Sequence, residues 1–122
     1  MSPVATVQEL GIQSDRVGNV NVVAVSGYVD ASNVEEFRLA VEPLCSAQDA
    51  RVLLDLSGLC YLNSIGFGLL FSWHRACRNQ GGQFALCGLK EKTRHITKEL
   101  GLESLLTIYP TRDEALAALR SS

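Results

Sequence analysis

The segment from Arg51 to Gly68, reading RVLLDLSGLCYLNSIGFG, constrains the fold more than any other part of the chain. Val52 to Leu56 is a short apolar run broken only by Asp55. A run of that kind fits a central strand covered on both faces, because a half-exposed strand would alternate apolar with polar residues. A short loop then leads into a helix that starts at Ser64. A serine hydroxyl in that place sits at the positive end of the helix dipole. Gly66 and Gly68 follow within a turn and leave the neighbouring backbone thinly shielded. The arrangement suits the addition and reading of a phosphate. It also suits ordinary helix initiation, so the hydroxyl by itself assigns no function.

The rest of the chain alternates strand and helix signals. Val7 to Ile12 and Val20 to Val25 read as β-branched strands around a turn at Asp15 to Asn19. Ser26 to Asp30 reads as an irregular exit. Ser32-Asn33-Val34-Glu35 fits a capping box, with the serine and glutamate satisfying each other's free amides. Val34, Phe37, Leu39, Val41 and Leu44 form the apolar face of the helix that follows, which ends at Pro43 or just after it. A helix from Ser64 to about Asn79 stops before Gly81-Gly82. Gln83 to Cys87 is a further strand. Thr93 to Leu100 is a short helix closed by Gly101, and Leu105 to Tyr109 is the last strand. Thr111 and Glu114 make a second capping box at the final helix, which carries Ala115, Leu116, Ala118 and Leu119. The order β-β-α-β-α-β-α-β-α predicts an α/β fold with parallel strand pairs covered by helices. The length of 122 residues suits one domain over 1–122, with a core of its own. No linker, repeat or low-complexity stretch interrupts it.

Charge and cysteine usage narrow the function classes. The net charge is −2 and lysines and arginines are scattered, which argues against a nucleic-acid partner, since that role needs a basic patch. The apolar runs fall far short of the roughly 20 residues of a membrane span, so no membrane insertion is expected. Met1 to Ala5 lacks the charged and apolar regions of a secretory signal, and a cytoplasmic location is expected. Cys45, Cys60, Cys77 and Cys87 form no CxxC pair. They are expected to be reduced, buried thiols rather than a zinc site. His74 and His95 stand at no ligand spacing from a cysteine, so neither metal nor cofactor is expected.

At 100° per residue, Ile65, Leu69, Leu70, Trp73, Ala76 and Cys77 share one arc of the helix after Ser64, expected to face the core. His74, Arg75, Arg78 and Asn79 lie opposite, on the expected wet side. Phe67 and Phe71 fall on that side, four residues apart. They suggest a partner surface, the alternative being that they pack under a neighbouring helix or loop. The flanking glycines favour the partner role for Phe67, whereas packing is ahead for Phe71. Asp30 and Asp55 stand at expected strand ends and could meet near Ser64. They could act as an acid/base pair or an aspartyl nucleophile, or simply order the loops around the serine. No histidine is placed as a base, and neither a GxSxG elbow nor a phosphate-cradling loop is present. No enzyme activity and no catalytic residue is expected.

Five pieces, taken in order, resemble a known family. They are Ser26-Gly27-Tyr28-Val29-Asp30, Val52-Leu53-Leu54-Asp55-Leu56-Ser57, Leu62-Asn63-Ser64-Ile65-Gly66-Phe67-Gly68, Gly101-Leu102 through Ile108, and Glu114-Ala115-Leu116. Over nearly its whole length the chain resembles the STAS domain family, specifically its single-domain anti-sigma factor antagonists. The resemblance implies a mixed sheet with helices mainly on one face, and a non-catalytic protein-interaction switch. Ser64 matches the residue phosphorylated by a serine kinase that is also the anti-sigma factor. A serine phosphatase reverses the mark, and the unphosphorylated form binds the kinase. Asn63 stands where the family usually has aspartate. The resemblance implies partner contacts at Asp30, Asn63, Ile65, Gly66, Phe67 and Phe71, a supporting role for Asp55, and a monomer when free. A second reading makes the chain a phosphorylation-independent STAS structural subunit of a transporter or other regulatory complex.

Overall fold

The computed structural model describes residues 9–120. Five strands form one sheet in the order β1-β2-β3-β4-β5. They are β1 (Gly11–Val17), β2 (Val20–Val29), β3 (Arg51–Leu62), β4 (Gln83–Cys87) and β5 (Ile108–Tyr109). The helices are α1 (Val34–Cys45), α2 (Ser64–Asn79), α3 (Glu91–Glu99) and α4 (Arg112–Arg120). β1 runs antiparallel to β2, and the remaining pairs are parallel. The element order and the mixed sheet are those expected from the sequence.

Each inner strand buries both faces, which is why the apolar run in β3 is nearly continuous. Val52, Leu54 and Leu56 point to one side and join Phe37, Val41, Leu70 and Trp73 from α1 and α2. Leu53 points to the other side and joins Val20, Val22, Ala115 and Leu119. Three helices therefore lie on one face, and α4 alone covers part of the other. At the centre of the larger core Trp73 meets the Phe37 ring edge-on, with centroids 5.1 Å apart. Its indole Nε1 donates to Glu42 Oε1 at 3.3 Å, so the polar tip is satisfied at the α1–α2 seam.

Several boundaries differ from expectation for identifiable reasons. Val17 pairs with Val20, so the hairpin turn is only Gly18-Asn19, with Gly18 at φ 62°. Asp15 and Arg16 belong to β1. As an edge strand it keeps Gln13 to Arg16 exposed, so it carries no apolar pattern to read. The start expected at residues 7 and 8 lies outside the described residues. Ser26 to Val29 of the expected irregular exit and the loop after Leu56 as far as Leu62 are instead strand, and Asp30 follows the end of β2. Ser26 pairs with Gly58, Tyr28 with Tyr61 and Val29 with Leu62, across two register shifts. Gly58 permits that pairing, because a Cβ there would lie 2.8 Å from Ser26 Cβ.

Ser32 caps nothing. Its amide and hydroxyl both donate to Asp30 Oδ1, at 2.9 and 2.6 Å, and α1 starts after Asn33. α1 buries Phe37, Val41 and Cys45, while Leu39 is 59% exposed and lies off that stripe. α3 starts two residues before Thr93. β5 has two residues, because the chain at 102–106 turns back on the Leu102 carbonyl. The caps at Gly101 (φ 74°) and at Thr111, which accepts from the Glu114 amide at 3.2 Å, are as expected.

Candidate functional site

Ser64 lies where the C-terminal ends of β2 and β3 meet the start of α2. Asn63 is the N-cap, with extended backbone (φ −77°, ψ 174°). Its side-chain Oδ1 accepts from the Gly66 amide at 2.8 Å, satisfying one of the free donors of the first turn. Its own amide donates to the Val29 carbonyl at 3.0 Å, which ties the helix start to the end of β2. Asparagine thus does the capping that an aspartate would do, without adding charge. Ser64 follows as the first helical residue, with its side chain exposed.

Asp30, next to Val29, is the nearby carboxylate. Hydrogen bonds from the Ser32 hydroxyl and amide hold it below the usual carboxylate range. The Asp30 amide donates to Asn33 Oδ1, and Asn33 Nδ2 donates to the Tyr28 carbonyl, both at 2.9 Å. The turn beside Ser64 is therefore fixed by its own side chains.

The surface around Ser64 differs from the one the helical arc predicts. α2 buries Gly66, Phe67, Leu70, Trp73, His74 and Cys77. Phe67, expected on the wet side as a partner anchor, is 3% exposed and belongs to the core. Ile65, expected in the core arc, is 58% exposed. Gly66 explains the rotation. A Cβ there would lie 2.3 Å from Leu62 Cδ1, so the bare backbone lets the helix settle on Leu62 with Phe67 inward. Gly68 faces open space, where a Cβ would meet nothing within 4 Å. Phe71 is half-buried, with the Arg75 guanidinium 5.8 Å from its ring centroid.

Asp55 does not join this site. Its Oδ2 accepts from Arg112 Nε at 2.9 Å and its Oδ1 from the Ser57 amide at 3.0 Å. It pairs with Ala24 in β2, whereas Leu62 next to the site pairs with Val29. Seven residues of strand separate the two positions, roughly 20 Å at strand rise. Asp30 and Asp55 therefore form no acid/base pair. Burial pushes the Asp55 carboxyl up, but the bonds from Ser57 and Arg112 outweigh it and leave it below the ordinary value. Its work is to fix the start of α4 against the sheet.

His74, also expected to be wet, is 8% exposed, and its Nδ1 has no hydrogen-bond partner. Burial holds its pKa below the ordinary value, against a pull upward from the Phe84 backbone. Alternation along β4 explains the position. The Leu86 amide bonds to Thr107 across the β4–β5 edge, so Phe84, two residues earlier, also turns its backbone to that edge. β5 is too short to reach it, and His74 covers the gap.

None of the four cysteines forms a disulfide. Cys45, Cys77 and Cys87 are buried and Cys60 is half-buried, a departure from uniform burial. Burial pushes the Cys87 thiol up to about 12. Among the described residues no group of three or more His, Cys, Asp or Glu side chains is placed to hold a metal ion. Among them, too, no helix is long and apolar enough to cross a membrane.

One feature near Ser64 escaped the sequence reading. Tyr28 and Tyr61, 41% and 42% exposed, pair across β2 and β3 with ring centroids 6.2 Å apart. Their neighbours Val29 and Leu62 point into the larger core, so the tyrosines face the other side of the sheet. The alternation outward from Val29 and Leu62 was the signal available.

The STAS domain family model matches residues 11–115, and the chain belongs to that family. BtrV of Bordetella bronchiseptica is 25% identical over 108 residues, 88% of this chain and 93% of BtrV. The anti-sigma F factor antagonist of Paenibacillus polymyxa is 24% identical over 111 residues, 90% of this chain and 95% of that one. The crystal structure of an anti-sigma factor antagonist from Mycobacterium paratuberculosis superposes with a TM-score of 0.81. It is 26% identical, covering 92% of this chain and 95% of its own.

Proposed function

We propose that this chain is an anti-sigma factor antagonist, a non-catalytic interaction module whose docking surface is switched by phosphorylation of Ser64. Unphosphorylated, it binds a serine kinase that is also an anti-sigma factor, and a serine phosphatase restores that form. The observation that carries the reading is the exposed Ser64 on the first turn of α2, flanked by the exposed Ile65 and the bare Gly68. Helix-terminal amides favour an anion there by typically about 0.3–1 kcal/mol, while Asp30 opposes one, so the phosphate leaves the fold nearly unaltered. Docking is where it acts. An unpaired phosphate pressed into a partner surface must lose its water, at several kcal/mol, enough to lower affinity by factors of roughly hundreds. Ile65, Asn63, Asp30 and the Tyr28–Tyr61 pair make up the contact surface, and Phe67 supports it from beneath.

The test is to incubate the protein with its cognate kinase and ATP and map the product by peptide mass spectrometry. Phosphate should appear on Ser64, and Ser64→Ala should abolish it and give a constitutive binder. Ser57 and Ser72 are also exposed. Modification of either with Ser64 untouched, or unchanged kinase binding by the phosphorylated protein, overturns the reading.

A further inference from the structure

A groove runs between the second half of α2 and the segment leading into β5. Its upper part is a cavity of about 310 Å³ lined by Phe71, His74, Arg75, Arg78 and Leu105. A second cavity of about 430 Å³ continues from it, sharing His74 and Arg78 and reaching Thr107 and Tyr109. No carboxylate lines either one. Elsewhere Arg38, Arg94 and Arg112 each pair with acidic side chains. Arg75 and Arg78 have no such partner among the described residues. They stand three residues apart on one helix face, where like charges repel. The end of the helix dipole accounts in part for Arg78 but not for Arg75, a turn earlier.

The walls are apolar as well as cationic. Arg75 stacks on Phe71, which holds its guanidinium over the groove. Leu105 opposite is 48% exposed. His74, at the junction of the two cavities, is 8% exposed with an unpartnered Nδ1. Paired arginines over an aromatic, in a chain of net charge −2, are the complement of an acidic segment with a bulky apolar side chain.

We propose that this groove is a second docking site, taking an acidic, extended segment of a protein partner. Carboxylates of the segment engage Arg75 and Arg78, and an apolar side chain settles between Phe71 and Leu105. Arg78 lies fourteen residues along α2 from Ser64, about 20 Å at helical rise, so the site works whatever the state of that serine.

The probe is a capped, fluorescein-labelled Asp-Glu-Leu-Phe-Glu-Asp peptide, with a counterpart carrying lysine at every acidic position, titrated into the full chain. Amide NMR shifts should move at residues 71–79 and 104–109. Arg75→Glu with Arg78→Glu should weaken the acidic peptide by about tenfold or more. Leu105→Ser should weaken it severalfold, and Ser64→Ala should leave it unchanged. Raising salt from about 50 to about 300 mM should weaken it too. Equal binding of the lysine peptide, shifts centred on residues 62–68, or no loss in the double-arginine variant at an unchanged thermal midpoint would overturn the proposal. So would full competition by inorganic phosphate with no effect of Leu105→Ser, which would leave a simple anion site.

Discussion

Phe67→Ala separates the sequence-level view of α2 from the folded one. On the helical arc Phe67 faces solvent and its truncation should cost a partner complex, not the fold. In the structure the ring is 3% exposed and packed in the larger core. Removing a buried phenyl ring loses its transfer free energy and leaves a cavity, together about 3–5 kcal/mol. A domain of this size has only about 5–15 kcal/mol to lose. At roughly 3–5 °C per kcal/mol, the thermal midpoint should fall by about 10–20 °C. Urea unfolding followed by the fluorescence of Trp73, the only tryptophan and 1% exposed, reads the same loss as a lower midpoint at an unchanged slope. Ile65→Ser is the matched control. With the side chain 58% exposed, it should shift stability by no more than about 0.5 kcal/mol. It should instead weaken kinase binding by about 2 kcal/mol, or roughly thirtyfold. A fall below about 3 °C for Phe67→Ala, or one as large for Ile65→Ser as for Phe67→Ala, would refute the assignment of faces.

The two glycines of the first turn should respond in opposite directions. Gly68→Ala adds a Cβ into open space and should stabilise by about 0.5–1 kcal/mol, whereas Gly66→Ala drives a Cβ to 2.3 Å from Leu62 Cδ1 and should destabilise, both read from chemical denaturation. Stability should also fall with acid in two windows. His74 titrates below its ordinary 6.5 when folded, so the unfolded chain takes up the proton first. Its contribution is complete above that value and declines below it, and His74→Leu should flatten the midpoint between about pH 7.5 and about pH 5.5. Asp55 is depressed below its ordinary 3.8, so its contribution is present above that value and lost as pH falls through the lower, folded one. Asp55→Asn should lower stability at neutral pH and remove that last acid step, seen by circular dichroism; an unaltered acid limb would count against the Arg112 pair.

The element order was legible because its signals are local. The run Val52 to Leu56, the glycines at 81 and 101, and the cap at Thr111 act within a few residues of themselves. So does the start of α2 at Asn63-Ser64, where side chain and backbone satisfy each other regardless of the rest of the chain. The strand continuations through Ser26–Val29 and Ser57–Leu62 were not legible. Each is held by hydrogen bonds to the other, and the alternation outward from Val29 and Leu62 is carried by glycines and tyrosines rather than by an apolar run. β1 carries little signal for a related reason, since an edge strand needs no apolar alternation when its neighbour supplies the ladder.

The site divides along the same line. The sequence by itself determined that a hydroxyl would stand at a helix start after a buried strand, because capping and strand burial are written in neighbouring residues. Only the tertiary structure decided what surrounds it. α2 carries apolar residues on more than one side, and periodicity alone cannot choose among them. The choice was made by Leu62, which fits the bare backbone of Gly66 and turns Phe67 inward and Ile65 outward. The separation of Asp30 from Asp55 was decided in the same way. Asp30 follows the last apolar residue of β2 at the strand terminus, whereas Asp55 interrupts an apolar run at mid-strand against Arg112, a partner 57 residues away. That distance in sequence, closed only by folding, is why no local pattern could have assigned Asp55 its partner.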